Sequence, residues 1–166
     1  MRVYLPTTLA GLRAALEAGE VPAGTGYAVT PALREWYVEG DLEELEYAAG
    51  AAAARASLRL LTDTDADRRV VLAAEVPDAA VGPSPHSGLL NDRAAVTVRV
   101  PVPLRLVDAG LVDDPAAAED VRRARSVLLA ADTGDDDAAF VVASLEDHEL
   151  GWYAAQELSA LVALET

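Results

Sequence analysis

The chain contains no cysteine and no lysine, and these two absences exclude several kinds of chemistry. Without cysteine there is no disulfide framework, no catalytic thiolate and no thiolate ligand for zinc. Without lysine there is neither Schiff-base chemistry nor the lysine of a phosphate-binding loop. The first residues, MRVYLPTT, also lack the long apolar segment of a secretion signal. We therefore expect a cytoplasmic protein.

Positive charge is scarce. The 13 basic residues, all arginine, face 28 acidic ones, so the net charge is −15. Such an excess repels nucleic acid and anionic lipid, and we expect neither as a partner. The longest uncharged apolar run, 48–54, is too short to cross a bilayer. Apolar residues nevertheless make up 52% of the 166 residues. A chain of this length can bury a core, and we expect one globular domain over residues 1–166.

Two helix starts stand out in the first half of the chain. Thr30 followed by Pro31 combines a hydroxyl cap with proline at the first helical position. Asp41 with Glu44 has the spacing of a capping box. Alanines and leucines spaced three or four apart then run to Leu60, and their small side chains allow close approach to a neighbour. The pattern predicts a central alanine-rich helix.

The strand signals lie in the middle of the chain. Val70–Val76 is apolar on both sides of the pleat apart from Glu75, which is typical of a central strand covered on both faces. Ala95–Val100 alternates and is closed by prolines, which predicts an edge strand. The intervening region is rich in proline, glycine, serine and aspartate. We expect a mobile surface loop around residues 78–93.

The order of these elements predicts the fold class. Helices and strands interleave near the start, which favours parallel neighbours with helices on the faces. We expect an α/β (or α+β) fold with a mixed sheet of about four or five strands flanked by helices. Phe140–Val142 is interpreted as a short strand. Ser144 with Asp147 predicts a capping box that opens a last helix, running to about Leu164.

Four segments together resemble a known family. They are YAVTPALREWY, DLEELEYAA, the VDD before a helix, and EDHEL-WYAAQEL near the end. The combination resembles a family of small actinobacterial proteins of unknown function, described only as hypothetical, and the likeness covers most of the chain. Where that family would read Leu-Trp, this chain has Gly151-Trp152. The resemblance implies a cytoplasmic actinobacterial protein and carries over no catalytic residue.

The predicted last helix carries one group of candidate site residues. His148, Trp152 and Gln156 lie four residues apart and would share one helical face. Such a face could bind a small polar ligand, or His148 could act as an acid or base with carboxylates such as Asp113 or Glu149. The alternative is a partly exposed histidine beside a tryptophan packed in the core.

A second group follows from the predicted strand ends. Ligands gather at the carboxyl ends of strands in open α/β sheets, and Thr30 and Asp113 lie at such ends. Helix starts there can attract anions, although helix capping alone is a sufficient role for Thr30. Arg34 is the best candidate to hold an anionic group, its alternative being a surface ion pair with a nearby glutamate. Trp36 completes the group.

Other motifs are missing. Asp63, Asp65 and Asp67 alternate like calcium ligands, but Arg68 and Ala74 occupy the positions that need glycine and glutamate. No glycine-rich phosphate loop and no Gly-x-Ser-x-Gly sequence occurs. We therefore expect no metal site and no cofactor.

Three hypotheses for function remain. The first is a non-enzymatic binding or protein-interaction module, whose partner would be a protein or a second copy of the chain. In such a module, exposed Trp36 or Trp152 would mark an interface. The second is a small-molecule enzyme whose pocket lies at the strand carboxyl ends and uses His148 with carboxylates. The third, an acidic mimic of nucleic acid, would need the acidic residues on one face.

Overall fold

A computed structural model of the protein describes residues 1–85 and 92–165. Its strands are Arg2–Thr7 (β1), Glu20–Val21 (β2), Gly24–Tyr27 (β3), Val70–Glu75 (β4), Val81–Pro83 (β5), Ala95–Val98 (β6), Val102–Pro103 (β7), Val107–Val112 (β8) and Gly151–Ala154 (β9). Its α-helices are Leu9–Ala18 (α1), Pro31–Trp36 (α2), Leu42–Leu60 (α3), Ala118–Asp132 (α4), Asp136–Ala143 (α5) and Leu158–Leu164 (α6). With 51% helix and 23% strand, the predicted combination of helix and sheet is confirmed.

The main sheet has seven strands in the order β5-β6-β3-β1-β4-β8-β9, and the short β2 and β7 pair separately. Every strand pair of the main sheet is antiparallel. The prediction of four or five strands is therefore wrong, and so is the expectation of parallel neighbours. Alternation of helices and strands along the sequence does not determine whether neighbouring strands are parallel. The segment after each helix can return the chain to the sheet in either direction.

The centre of the sheet is the pair β1–β4, which runs in register from Arg2 opposite Glu75 to Thr7 opposite Val70. All residues of β4 except its last are buried, so the predicted central strand is confirmed. Buried Ser57 closes one end of this pair. Its hydroxyl donates to the Thr7 carbonyl at 2.7 Å and accepts from the Val70 amide at 2.9 Å.

Helix α3 covers one face of the sheet. It begins with the predicted capping box, in which the Asp41 carboxylate accepts from the Glu44 amide at 2.9 Å and the Glu44 carboxylate accepts from the Asp41 amide at 3.2 Å. Its alanines pack with Tyr27 and Val71 of the sheet. Small side chains let the helix axis approach the strands closely, and the alanine-rich helix is confirmed.

The remaining helices complete two outer layers. Helices α1 and α6 cover the opposite face, where their leucines pack with Val3 and Leu72 in the largest core cluster. Helices α4 and α5 pack beside the end of α3, and Val121 and Leu145 form a smaller cluster there with Leu58. The sheet thus has helices on both faces, as expected.

The prediction of a last helix from Ser144 to about Leu164 is wrong for its first half. Ser144–Asp147 is a 3-10 turn, Gly151–Ala154 is strand β9, and only Leu158–Leu164 is α-helical. Pairing with β8, which sets Trp152 opposite Leu111, outweighs the local preference for helix. The strand expected at 140–142 lies inside helix α5, and the Ser144 hydroxyl donates to the Phe140 carbonyl instead of capping a helix.

The region between β4 and β6 also differs from expectation. Strand β5 lies within the predicted loop 78–93 and forms the sheet edge, so β6 is not the edge strand. Residues 86–91 of that loop lie outside the described residues. In the part of the chain that the structure describes, no helix is long and apolar enough to span a membrane.

Candidate functional site

A cleft of 560 Å³ lies along helix α3. Its walls come from β1, α2, α3, the residues just before β6, strand β8 and the segment that leads into β9. Aromatic rings, small side chains of α3 and several charged groups line it. The aromatic lining residues are Tyr4, Trp36, Tyr37 and Tyr47.

Thr30 builds one wall of the cleft. Its hydroxyl accepts from the Leu33 amide at 3.1 Å, which caps α2 as predicted, and donates to the backbone carbonyl of Arg93. The Arg93 guanidinium lies 3.7 Å from the centre of the Trp36 ring. This cation–π contact fixes the indole at the rim, where 60% of Trp36 remains exposed.

Tyr4 lies deeper, on the face of β1 that α3 covers. Its ring lies below Gly50, where an added Cβ would meet it at 3.8 Å. Burial raises the pKa of the Tyr4 hydroxyl, and the negative charge of Glu46 raises that pKa further. Tyr4 and Glu46 both line the cleft, and the positive charge of Arg2 offsets part of this rise in the pKa of Tyr4.

Arg69 and Asp113 support the opposite wall from behind. The buried Asp113 carboxylate accepts from the Arg69 amide, Nε and Nη2, each at 2.8 Å. The same Nη2 donates to the carbonyls of Leu145 and His148, at 3.3 and 3.2 Å. The ion pair thus holds the segment that precedes β9 against the sheet.

A histidine–carboxylate contact and a further ion pair lie at the cleft. His148 Nε2 lies 2.8 Å from the Asp120 carboxylate on α4. Arg55 of α3 contacts the Glu146 carboxylate at 2.7 Å. Within residues 1–85 and 92–165, no group of acidic residues and histidines is arranged to hold a metal ion. The chemistry available here is that of aromatic faces, charges and one histidine–carboxylate pair.

The structure brings some of the predicted site residues together and separates others. Trp36 and His148 line the cleft, while Thr30 and Asp113 hold its walls through their partners. Arg34, Trp152 and Gln156 do not line it. Trp152 projects from edge strand β9 and is 66% exposed, and Arg34 and Gln156 are exposed as well.

The shared helical face predicted for His148, Trp152 and Gln156 is wrong, because β9 replaces the helix. The lining residues Tyr4, Tyr47 and Arg93 were missing from the predicted site. The sequence indicated Tyr4 only weakly, as a phenol between the aliphatic side chains of Val3 and Leu5. No local pattern indicated Arg93, which enters only through its contact with Trp36.

Fold and site together define an α/β protein with an antiparallel seven-stranded sheet and an aromatic-lined cleft beside its longest described helix. The chain belongs to DUF6912, a family of unknown function whose model matches residues 1–162. The expected membership in a family of unknown function is thereby confirmed. No curated protein and no solved structure matches the chain significantly.

Proposed function

We propose that the protein is a non-enzymatic binding module that takes a ligand or a segment of a partner protein into the cleft along α3. The observation that carries this proposal is the exposed aromatic rim around a cleft of 560 Å³. Trp36 is 60% exposed and Tyr47 is 65% exposed. Aromatic side chains that stay exposed around a concave, largely apolar site are typical of binding surfaces.

The charged groups of the cleft favour binding over catalysis. Arg55 is paired with Glu146, and Arg69 is fully engaged by Asp113. These pairs hold the walls in position, and neither guanidinium can exchange protons with a substrate. A rigid frame around an aromatic rim suits recognition, since little side-chain order has to be gained on binding.

The proposal is tested with Nile red, a neutral dye whose fluorescence rises in apolar sites. We expect binding to the intact protein and loss of most of it in the double variant Trp36→Ala/Tyr47→Ala. Leu129→Ala is the control, because Leu129 is an exposed apolar residue, 77% accessible, on α4 outside the cleft. Unchanged binding in the double variant, or an equal loss in the control, would contradict the proposal. Circular dichroism checks that each variant is folded.

One observation favours a second candidate, a small-molecule enzyme. The pair of His148 and Asp120 lies at the cleft, and a histidine oriented by a carboxylate is a common general acid or base. Because the strands are antiparallel, this pocket lies beside α3 and not at a common set of strand ends. Turnover of a chromogenic ester or phosphate that disappears in His148→Gln and falls in Asp120→Asn would favour the enzyme.

The proposal extends to the cellular setting of the protein. We propose one globular domain over residues 1–166, acting in the cytoplasm of an actinobacterium. The lack of cysteine supports the compartment, and the segment YAVTPALREWY supports the origin. Homo-oligomers could form through exposed Trp152 on edge strand β9. Sedimentation equilibrium of the intact protein and of Trp152→Ala tests this last point.

A further inference from the structure

The arginines of the cleft are all engaged. Arg55 contacts Glu146 at 2.7 Å, and Arg69 is held by the buried Asp113 carboxylate. The Arg93 guanidinium stacks on the Trp36 ring at 3.7 Å from its centre. Carboxylates thus offset the positive charges of Arg55 and Arg69, while Arg93 keeps its charge beside the Trp36 ring.

Unlike Arg55 and Arg69, two carboxylates that line the cleft have no charged partner within the described residues. Within residues 1–85 and 92–165, Glu46 and Glu149 line the cleft and make no ion pair or side-chain hydrogen bond. Glu46 is half-buried on α3, close enough to Tyr4 to raise the pKa of its hydroxyl. Glu46 and Glu149 together outnumber Arg93, so the charge left over in the cleft is negative. Tyr4, Tyr37 and Tyr47 line the same cleft.

Carboxylates among aromatic rings are the usual surroundings of a bound organic cation. Ring faces attract ammonium and guanidinium groups, and a nearby carboxylate adds Coulombic attraction. The protein carries a net charge of −15, which draws cations toward it and repels anions. The alanines of α3 along the same cleft suit an apolar body attached to the charge.

We infer that the cleft binds an organic cation, an ammonium or guanidinium group on an apolar body, with Glu46 and Glu149 supplying the negative charge. This inference rests on the proposed function and names its ligand class. The cation could be a free amine or the lysine or arginine side chain of a partner protein. Both sources present the same chemistry to the cleft.

Three probes of similar shape test the inference: benzylammonium, benzyl alcohol and benzoate. Binding is followed by the indole N–H signals in correlation NMR spectra. Trp36 reports on the cleft, and Trp152 on β9 is an internal control in the same spectrum. We expect benzylammonium to shift the Trp36 signal at the lowest concentration and benzoate at the highest. Added salt should weaken the binding of benzylammonium.

Charge-neutral variants identify the carboxylates that act. Glu46→Gln and Glu149→Gln should each weaken benzylammonium binding roughly three- to tenfold and leave benzyl alcohol binding unchanged. Glu43→Gln is the control, because Glu43 is an exposed residue of α3 outside the cleft and carries the same charge. Equal losses in the control would mean that only the net charge matters and would overturn the inference.

The inference and the proposed function fail in different ways. If benzoate binds as well as benzylammonium, or if benzylammonium does not bind, the inference is wrong, while Nile red binding still decides the proposed function. If Nile red does not bind either, both are wrong. A capped Ala-Arg-Ala peptide that binds more tightly than benzylammonium would point to a protein side chain as the source of the cation, and the reverse to a free amine.

Discussion

Asp113 and Arg69 form a buried ion pair in which one carboxylate accepts three hydrogen bonds of 2.8 Å from a single residue. The Asp113 side chain is 0% exposed and that of Arg69 is 5% exposed. Arg69 precedes β4 and Asp113 follows β8, so the pair closes one end of these neighbouring strands. Because Arg69 also reaches the His148 carbonyl, the same pair connects the core to the cleft wall.

Replacing one partner of this pair should be strongly destabilising. Asp113→Ala leaves the Arg69 guanidinium buried without its counter-charge, and we expect a loss of about 3–5 kcal/mol in the free energy of unfolding. Urea denaturation followed by circular dichroism measures it. The double variant Arg69→Met/Asp113→Leu should lose less than Asp113→Ala, because no charge is left uncompensated.

The neighbouring residue Asp114 is the matched control for this prediction. It is exposed, and its carboxylate accepts from the Ala116 amide at 2.8 Å. Asp114→Ala should therefore cost about 1 kcal/mol, the usual value for a lost cap. A loss in Asp113→Ala no larger than that in Asp114→Ala would show that the buried pair adds nothing beyond capping.

Ser57→Ala should destabilise the centre of the sheet. The substitution removes both hydrogen bonds of the Ser57 hydroxyl and leaves the Thr7 carbonyl and the Val70 amide without this partner. Unsatisfied buried groups cost about 1–3 kcal/mol, which chemical denaturation can resolve. Ser126 of α4 is exposed and its hydroxyl donates to the Arg123 carbonyl, so Ser126→Ala should change the free energy of unfolding by less than about 0.5 kcal/mol. Similar losses in the two variants would contradict this role of Ser57.

Alanine substitutions at the two glycines of β3 should differ in their effect on stability. A Cβ on Gly26 would lie 2.6 Å from Val3 Cγ1 and 3.2 Å from Val98 Cγ2, both in the core. Overpacking of this kind makes Gly26→Ala less stable by about 1–3 kcal/mol. Gly24 has open space around its Cβ position, so Gly24→Ala should change stability by less than about 0.5 kcal/mol. Thermal unfolding of both variants tests the packing, and equal melting temperatures would contradict it.

The raised pKa of Tyr4 predicts how the free energy of unfolding changes at alkaline pH. Burial first, and then the charge of Glu46, raise the pKa of the Tyr4 hydroxyl above its ordinary value of 10.0. A raised pKa in the folded state means that the linked stability is fully present below the unfolded pKa and is lost as pH rises through the folded pKa. The unfolding free energy of the wild type should therefore fall more steeply above pH 10.0 than that of Tyr4→Phe. Parallel curves for the two proteins would contradict the shift.

Local features of the chain were predictable because neighbouring residues decide them. The cap at Thr30 and the box of Asp41 with Glu44 formed as expected, since each needs only groups within three residues. The buried character of residues 70–74 followed from their unbroken apolar run. Two of the predicted site residues, Trp36 and His148, line the cleft.

The sequence by itself determined where α2 and α3 begin, which strand is central and that α3 packs closely through alanine. Only the tertiary structure decided the seven strands, their antiparallel directions and the conversion of residues 151–154 into β9. It also decided which residues meet at the cleft, where Tyr4, Trp36 and His148 come from distant parts of the chain. The physical reason is common to all of these features. Hydrogen bonds to a neighbouring strand, and side chains brought together by packing, depend on partners that are far away in sequence.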